Sequence, residues 1–467
     1  MTASSSNTIS MNGNSIGYGL SQGQEAFSLS GYDNTVILAG AADTIDVTNG
    51  GFDAIDLNGT GFTSGTTDVI NLGDSAFNSI SSSHVLRFSD VTVNATGGPN
   101  TISLDNVAGT TTLNLGDVGD PALQSGLGLG DSVTLNGDAT NTVAFTSGGD
   151  ATIAIGSAGD GQQQGVSHVS LWGFGNTVTG GDEQFTITNQ GAHGAQNSVS
   201  LGNGNNSVFL SGAHSTVHLG DGNNSLTMYG GFASATLGGG NNAVTTGYGR
   251  ANVTFASGHA GSTDTLVMNH GTLVLHGGDE NFNVSSVAQH ANLVGKLGDG
   301  NNTINLHNGL ARLTLGSSDA NTGVNSVTVQ DGGRGSFTFN GGTDSLVMGG
   351  GASGGGNTIA LNGTMLGTTL SASGSFNHIT LTDDANAAIT ESGHAMDITL
   401  DADQAGGFGA ISINGLESDD LARIHLVGAG AYTMSVDDTP VGGITLHFAQ
   451  GSVDLIGLQS VPNHLFG

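Results

Sequence analysis

Residues 202–255 read GNGNNSVFL SGAHSTVHL GDGNNSLTM YGGFASATL GGGNNAVTT GYGRANVTF, six consecutive units of nine residues without a gap. Apolar residues stand at places seven and nine of a unit, as at Val208 and Leu210 or at Leu226 and Met228. A spacing of two makes a short strand with one face turned inward. The Gly, Asn, Asp and Ser residues before each pair supply the positive φ and the side-chain-to-backbone bonds of a tight turn. Each unit is therefore one turn plus one strand, too small to bury its own apolar face, and stacking on its neighbours is the way it folds.

The units alternate between GxGNNSVxL and a looser xxGxxxVxL, so the true repeat is a coil of 18 residues with two strands. The predicted fold is all-β, a parallel β-solenoid of the β-roll or β-helix kind. Equivalent positions stack at the strand spacing of about 4.8 Å, which predicts a core ladder of Leu201, Leu219, Leu237 and Leu297. It also predicts a ladder of amides, Asn206, Asn224, Asn242 and Asn302, hydrogen-bonded along the axis. The pattern resumes at Gly298 with GDGNNTINL and HNGLARLTL, and recurs in weaker form from Ile16 onward. This divides the chain into an irregular solenoid over 1–165, a regular one over 166–395 and a C-terminal β region over 396–467. Residues 117–130 and 156–165 read as loops, and 417–423 as the one short helix.

Composition agrees with a repetitive fold. Among 467 residues are 82 Gly and only 4 Pro, which excludes collagen, while 36% hydrophobic residues are too many for a disordered linker. Six basic residues (Arg87, Arg250, Lys296, Arg312, Arg334 and Arg423) face 38 acidic ones, for a net charge of -32. Such a chain repels nucleic acid and attracts cations. With no Cys there is no disulfide, no thiolate nucleophile and no Cys-ligated zinc. The segment before Arg87 has no basic n-region and Met1 to Ser30 has no apolar h-region, so no cleaved signal peptide is expected, and no apolar run is long enough for membrane insertion.

The period with GxGNN turns resembles the RTX (repeats-in-toxin) nonapeptide GGxGxDxUx. Val208, Leu226, Val244 and Ile304 fill its buried aliphatic place, and the pairs Gly202/Gly204, Gly220/Gly222 and Gly298/Gly300 match its second and fourth positions. Two departures stand out. The first Gly of the motif is replaced by Leu201, Leu219 or Leu297, and its calcium-ligating Asp by Asn206, Asn224, Asn242 or Asn302. A neutral amide is a poor ligand for a hard cation. Looser repeats keep an acid there, at Asp43, Asp53, Asp68, Asp264 and Asp344, while Asp221 and Asp299 lie elsewhere in the turn. The resemblance implies calcium at these seven residues; the residues by themselves read as solvated turn acids.

RTX-like proteins leave the cell by type I secretion on an uncleaved C-terminal signal. The tail 453–467 is similar to such signals, with Leu455, Ile456 and Leu458 in an aliphatic-Gly-Leu core and a final Leu465 and Phe466; the alternative is a last strand with a cap. The implied location is outside the cell, or on the surface, of a Gram-negative bacterium.

Catalytic signals are weak. GNSIG at 13–17 and GASGG at 351–355 match a hydrolase nucleophile elbow, but neither sits between a buried strand and an amphipathic helix. A polysaccharide lyase needs a basic residue beside an acidic sugar, and here six are dispersed through the sequence of an acidic chain. The expected role is thus not enzymatic: a secreted structural protein whose partner is itself, assembled into a surface layer, fibre or biofilm matrix. The alternative is an RTX-type adhesin that binds cell-surface polysaccharide or lipopolysaccharide. Ice-adhesin repeats carry Thr in the turn, where this chain has Asn203, Asp221, Gly239 and Asp299.

Overall fold

The computed structural model describes residues 7–12, 17–19, 25–32, 35–38, 44–51, 54–57, 66–72, 78–82, 89–95, 97, 99–105, 109–116, 130–136, 140–145, 150–156, 166–173, 175–182, 184–190, 196–211, 214–256, 261–287, 291–307, 309–316, 323–330, 334–348, 357–365, 368–372, 377–382, 386–391, 396–401, 410–415, 423–427, 432–437, 442–448, 451–458 and 460. Two compact units account for the chain, Met1–Gly238 and Gly239–Gly467.

Both units are parallel β-solenoids, and within each the strands alternate between two parallel sheets. In the first unit Asn197–Leu201 pairs with Ser215–Leu219 in one sheet, and Ser207–Ser211 with Ser225–Tyr229 in the other. In the second, Asn283 to Ser285 pair with Thr303 to Asn305, and Leu293 to Leu297 with Ala311 to Leu315. Alternate residues of a strand are buried, so the sequence spacing of two becomes an inner face and an outer one: Val208, Leu210, Val217 and Leu219 are each 3% exposed or less. The predicted core ladder is in register. Leu201 faces Leu219 and Leu219 faces Leu237, while Leu297 of the second unit stacks on Leu315.

The coil length corrects the sequence reading. Eighteen residues separate Val208 from its partner Leu226, but 30 separate Leu113 from Val143, and the mean is about 21 residues a turn. Strand register is fixed by the inward apolar pattern, because a one-residue slip would turn every core side chain outward. Connections between strands carry no such constraint, so they absorb the length differences. The solenoid pairing runs without a break across residues 165 and 395.

Aromatic rings interrupt the aliphatic ladders at particular places. Phe185, Phe282, Phe337 and Phe339 are the largest fully buried side chains. A Cβ on Gly180 would lie 2.3 Å from Phe185 Cζ, and one on Gly277 2.2 Å from Phe282 Cζ. Each ring thus occupies the space that a side chain on the glycine five residues earlier would fill.

The C-terminal end departs from the all-parallel expectation. Gly451–Ile456 pairs in parallel with Ala410–Asn414, Leu455 facing Ile413, and antiparallel with Gly443–Phe448 on its other side. Gly443–Phe448 in turn pairs antiparallel with Thr433–Val436, all four residues of which are exposed. A sheet end must be covered or made unattractive to other strands, and here a short hairpin extends it. Of the expected helix at 417–423, residues 417–422 lie outside the described residues, and Arg423 opens the strand Arg423–Val427; among the described residues there is no helix.

Candidate functional site

The turns are closed from inside by the amides that the repeat supplies. Asn206 Nδ2 donates to Gly204 O at 2.9 Å and Gly202 O at 3.3 Å, carbonyls of its own turn. It also donates to Asn224 Oδ1 of the next turn at 3.0 Å, and the backbone N–H of Asn206 donates to the same oxygen at 3.2 Å. Asn206 Oδ1 in turn accepts from the N–H of Phe185. Asn224 repeats the pattern on Gly220 and Gly222. In the second unit Asn302 Nδ2 donates to Gly300 O at 3.1 Å and to Asn325 Oδ1 at 2.7 Å. Asn302, Asn206, Asn224 and Asn242 are at most 2% exposed; Asn206 and Asn224 bond to each other along the axis, while Asn242 and Asn302 bond to Asp264 and Asn325 of their neighbouring turns. Both sheets use the device: Asn176 Nδ2 donates to Asn197 Oδ1 at 3.2 Å.

The expected calcium ligands fall into two groups. Asp68, Asp264 and Asp344 are buried, 2% exposed or less. Two of them stand as rungs of the ladder: Asn242 Nδ2 donates to Asp264 Oδ1 at 2.9 Å, and Asn325 Nδ2 to Asp344 Oδ1 at 2.7 Å. A carboxylate accepts like the amide it replaces but has no N–H for the carbonyls of its own turn. Asp344 Oδ2 is accordingly buried with no hydrogen-bond partner among the described residues. Burial raises its pKa from 3.8 to about 6, opposed by the two hydrogen bonds from Asn325. Asp221 is exposed and Asp299 half-buried in the turns; the N–H of Asp221 donates to Asn203 Oδ1 and that of Asp299 to Asp279 Oδ1. Asp43 and Asp53 lie outside the described residues. Among the described residues no three His, Asp or Glu side chains come together as a metal site.

The outward residues of successive strands line up as arrays on the outer faces. On one sheet of the first unit, Ser79, Thr101, Ser132, Thr152, Thr177, Ser198, Thr216 and Ser234 form one unbroken outward column across eight strands. A second column runs beside it through Ser81, Ser103, Thr134, Ala154, Thr179, Ser200, His218 and Thr236. At about 4.8 Å per strand the two columns run roughly 34 Å; they are rich in hydroxyls and hold no Asp, Glu, Lys or Arg, with acids at their border, Asp56 pairing with Ser81 and Asp105 following Ser103 by two residues in its strand. The opposite sheet has an outer amide ladder, in which Asn114, Asn94 and Asn71 each donate to the next and Asn71 to Asp46 at 2.6 Å. The chain matches no family model, no curated protein and no solved structure. What the protein does therefore rests on these surfaces and on the chemistry of its own residues.

In the second unit a groove of about 440 Å³ runs along Thr369, Ala388, Ser412 and Asp454, open because those outward side chains are small. The proposed export residues divide. Leu455 is fully buried and Leu458 3% exposed, packed as core, with Ile456 half-buried; Leu465 and Phe466 lie outside the described residues. The elbow-like strings at 13–17 and 351–355 are also outside them, apart from Gly17.

Proposed function

We propose that the protein is a secreted, non-enzymatic structural protein that self-assembles into a layer, fibre or matrix at the surface of a Gram-negative bacterium. The observation that supports this best is the two-column hydroxyl face of the first unit. On a chain of net charge -32, copies repel one another wherever acids face acids, over a screening distance of about 8 Å at physiological ionic strength. A neutral face is where they can approach. Its hydroxyls repeat with the strands, so one copy can exchange hydrogen bonds to water for bonds to the same array on another. Calcium at about millimolar concentration, typical of extracellular sites, would neutralise the remaining acids between copies.

Light scattering and electron microscopy of purified full-length protein test this, with calcium and after chelation. Assemblies should form with calcium and loosen without it, and Thr152→Glu with Thr177→Glu, which places charge on the neutral face, should prevent them. A strictly monomeric protein under all these conditions would refute the reading. The same hydroxyl face suits an uncharged region of a cell-surface polysaccharide, and the adhesin reading would then take its place.

A further inference from the structure

The basic residues are scattered in sequence but not in space. Arg250, Lys296, Arg312, Arg334 and Arg423, every basic residue described, lie in strands of one sheet of the second unit. Five successive strands of that sheet each contribute one basic or imidazole side chain: Arg250, His276, Lys296, Arg312 and Arg334, all exposed. At about 4.8 Å a strand they span roughly 19 Å across the sheet as a staggered stripe: His276 and Lys296 pair directly, Arg312 and then Arg334 each lie two residues further back along the strands, and Arg250 lies four residues back from the register of His276. The residues paired with them on this sheet are not acidic: His276 lies between Thr254 and Lys296, Lys296 pairs with Thr314, Arg312 lies between Val294 and Ser336, and Arg334 pairs with Leu310. Val294 and Leu310, in the midst of the stripe, are 40% and 55% exposed. Solvated side chains of an acidic protein would be expected beside neutralising carboxylates. Lys296 and Arg312 instead stand beside Thr314, Ser336 and the exposed Val294, with Leu310 on the same strand as Arg312, the mixed composition of an interface, whereas Arg423, farther along the sheet, pairs with Asp397.

We infer that this stripe is a second contact, beside the hydroxyl face of the first unit, by which one copy docks on the acidic surface of another. This rests on the self-assembly reading above and adds a charged surface to it. Charge complementarity selects the occupant: with 38 acidic residues against six basic ones, and the described basic residues confined to one sheet, the remaining surface of another copy is the complementary one. Stripe and acidic surface are different patches, so where each copy gives its stripe to one neighbour and its acidic surface to another the contact is heterologous and builds rings or open arrays.

The test is the full-length chain with Lys296→Glu and Arg312→Glu together, compared with wild type by sedimentation and light scattering across ionic strength. Both positions point outward from intact strands, and circular dichroism with thermal melting verifies the fold; Arg312→Gln, which only removes a charge, is the milder variant. Wild-type association should weaken as salt rises from about 0.01 M to about 1 M and the screening length falls from ~30 to ~3 Å. The double variant should associate about 100-fold more weakly at low salt, since like charges then face each other. A double variant that assembles as well as wild type overturns the inference and leaves self-assembly standing. A wild type that never associates overturns both. If the variant assembles normally but no longer binds immobilised polygalacturonate, an acidic polysaccharide that wild type retains, the stripe serves such a polysaccharide and the inference is also overturned.

Discussion

Replacing Asp344 by Asn should stabilise the second unit at neutral pH and flatten its pH dependence. The carboxyl is buried, with Oδ1 held by Asn325 and Oδ2 unpartnered among the described residues. Its pKa rises from 3.8 to about 6 on folding, chiefly through burial. Folding therefore favours the protonated form: the associated stability is fully present below pH 3.8 and is lost as the pH rises through 6. A gap of roughly two units at 1.36 kcal/mol each makes the loss about 3 kcal/mol. Asparagine keeps the acceptor for Asn325 and adds an N–H that can reach the carbonyl of Gly342, as Asn302 Nδ2 reaches Gly300 O at 3.1 Å. Hydrogen exchange of the amides in Val324–Gln330 and Arg334–Met348, with thermal melting, should show the variant more stable by up to about 3 kcal/mol near pH 7.5, and by little near pH 4. An advantage that does not change over this range, or a less stable variant at neutral pH, would refute a buried, proton-linked rung.

Three further outcomes follow from the same architecture. Leu219→Asp or Leu226→Asp puts an unpaired carboxylate into a fully buried ladder and should cost several kcal/mol, read as lost β signal and a lower melting temperature; unchanged melting in both would remove the inward assignment. Asn224→Ala leaves the Asn206 N–H groups and the carbonyls of Gly220 and Gly222 without their partner, at about 1–3 kcal/mol, measured by chemical denaturation, with Asn224→Asp intermediate. Deleting residues 459–467, distal to the buried Leu455 and Leu458, should keep the solenoid melting point but stop the protein appearing in the medium; normal export of this truncation would rule out a signal there.

Much of the fold was legible in the repeat because a strand needs only a spacing of two and a turn only its Gly and Asn. Leu201, Leu219 and Leu237 stack as the alternation predicts, and Asn206 bonds to Asn224. The 18-residue coil holds where turns are tightest and does not extend to Leu113 and Val143. The antiparallel hairpin was hidden because TMSV and GITLHF alternate like every other strand, and nothing in such a pattern encodes direction. Asp68, Asp264 and Asp344 look like surface acids in sequence; only stacking against neighbouring rungs reveals them as buried. The basic stripe was within reach, since Arg250 and Arg312 both sit in the looser of the two alternating units, which already assigns them to the same sheet.

The rings of Phe185 and Phe282 have a bearing on how such a chain finds its structure. Columns of Val, Leu and Ile are so alike that a strand slipped by two residues along its neighbour would still bury aliphatic groups against aliphatic groups, and a stack growing from any nucleus could accept it. A ring that must enter the room left by Gly180 or Gly277 is different. Out of phase it meets a side chain instead of a vacancy, and the glycine leaves a hole elsewhere, a double error costing several kcal/mol in packing. Each Phe–Gly pair is thus a key cut for one slot, and the mistake is rejected at the turn where it occurs, before later turns can build upon it.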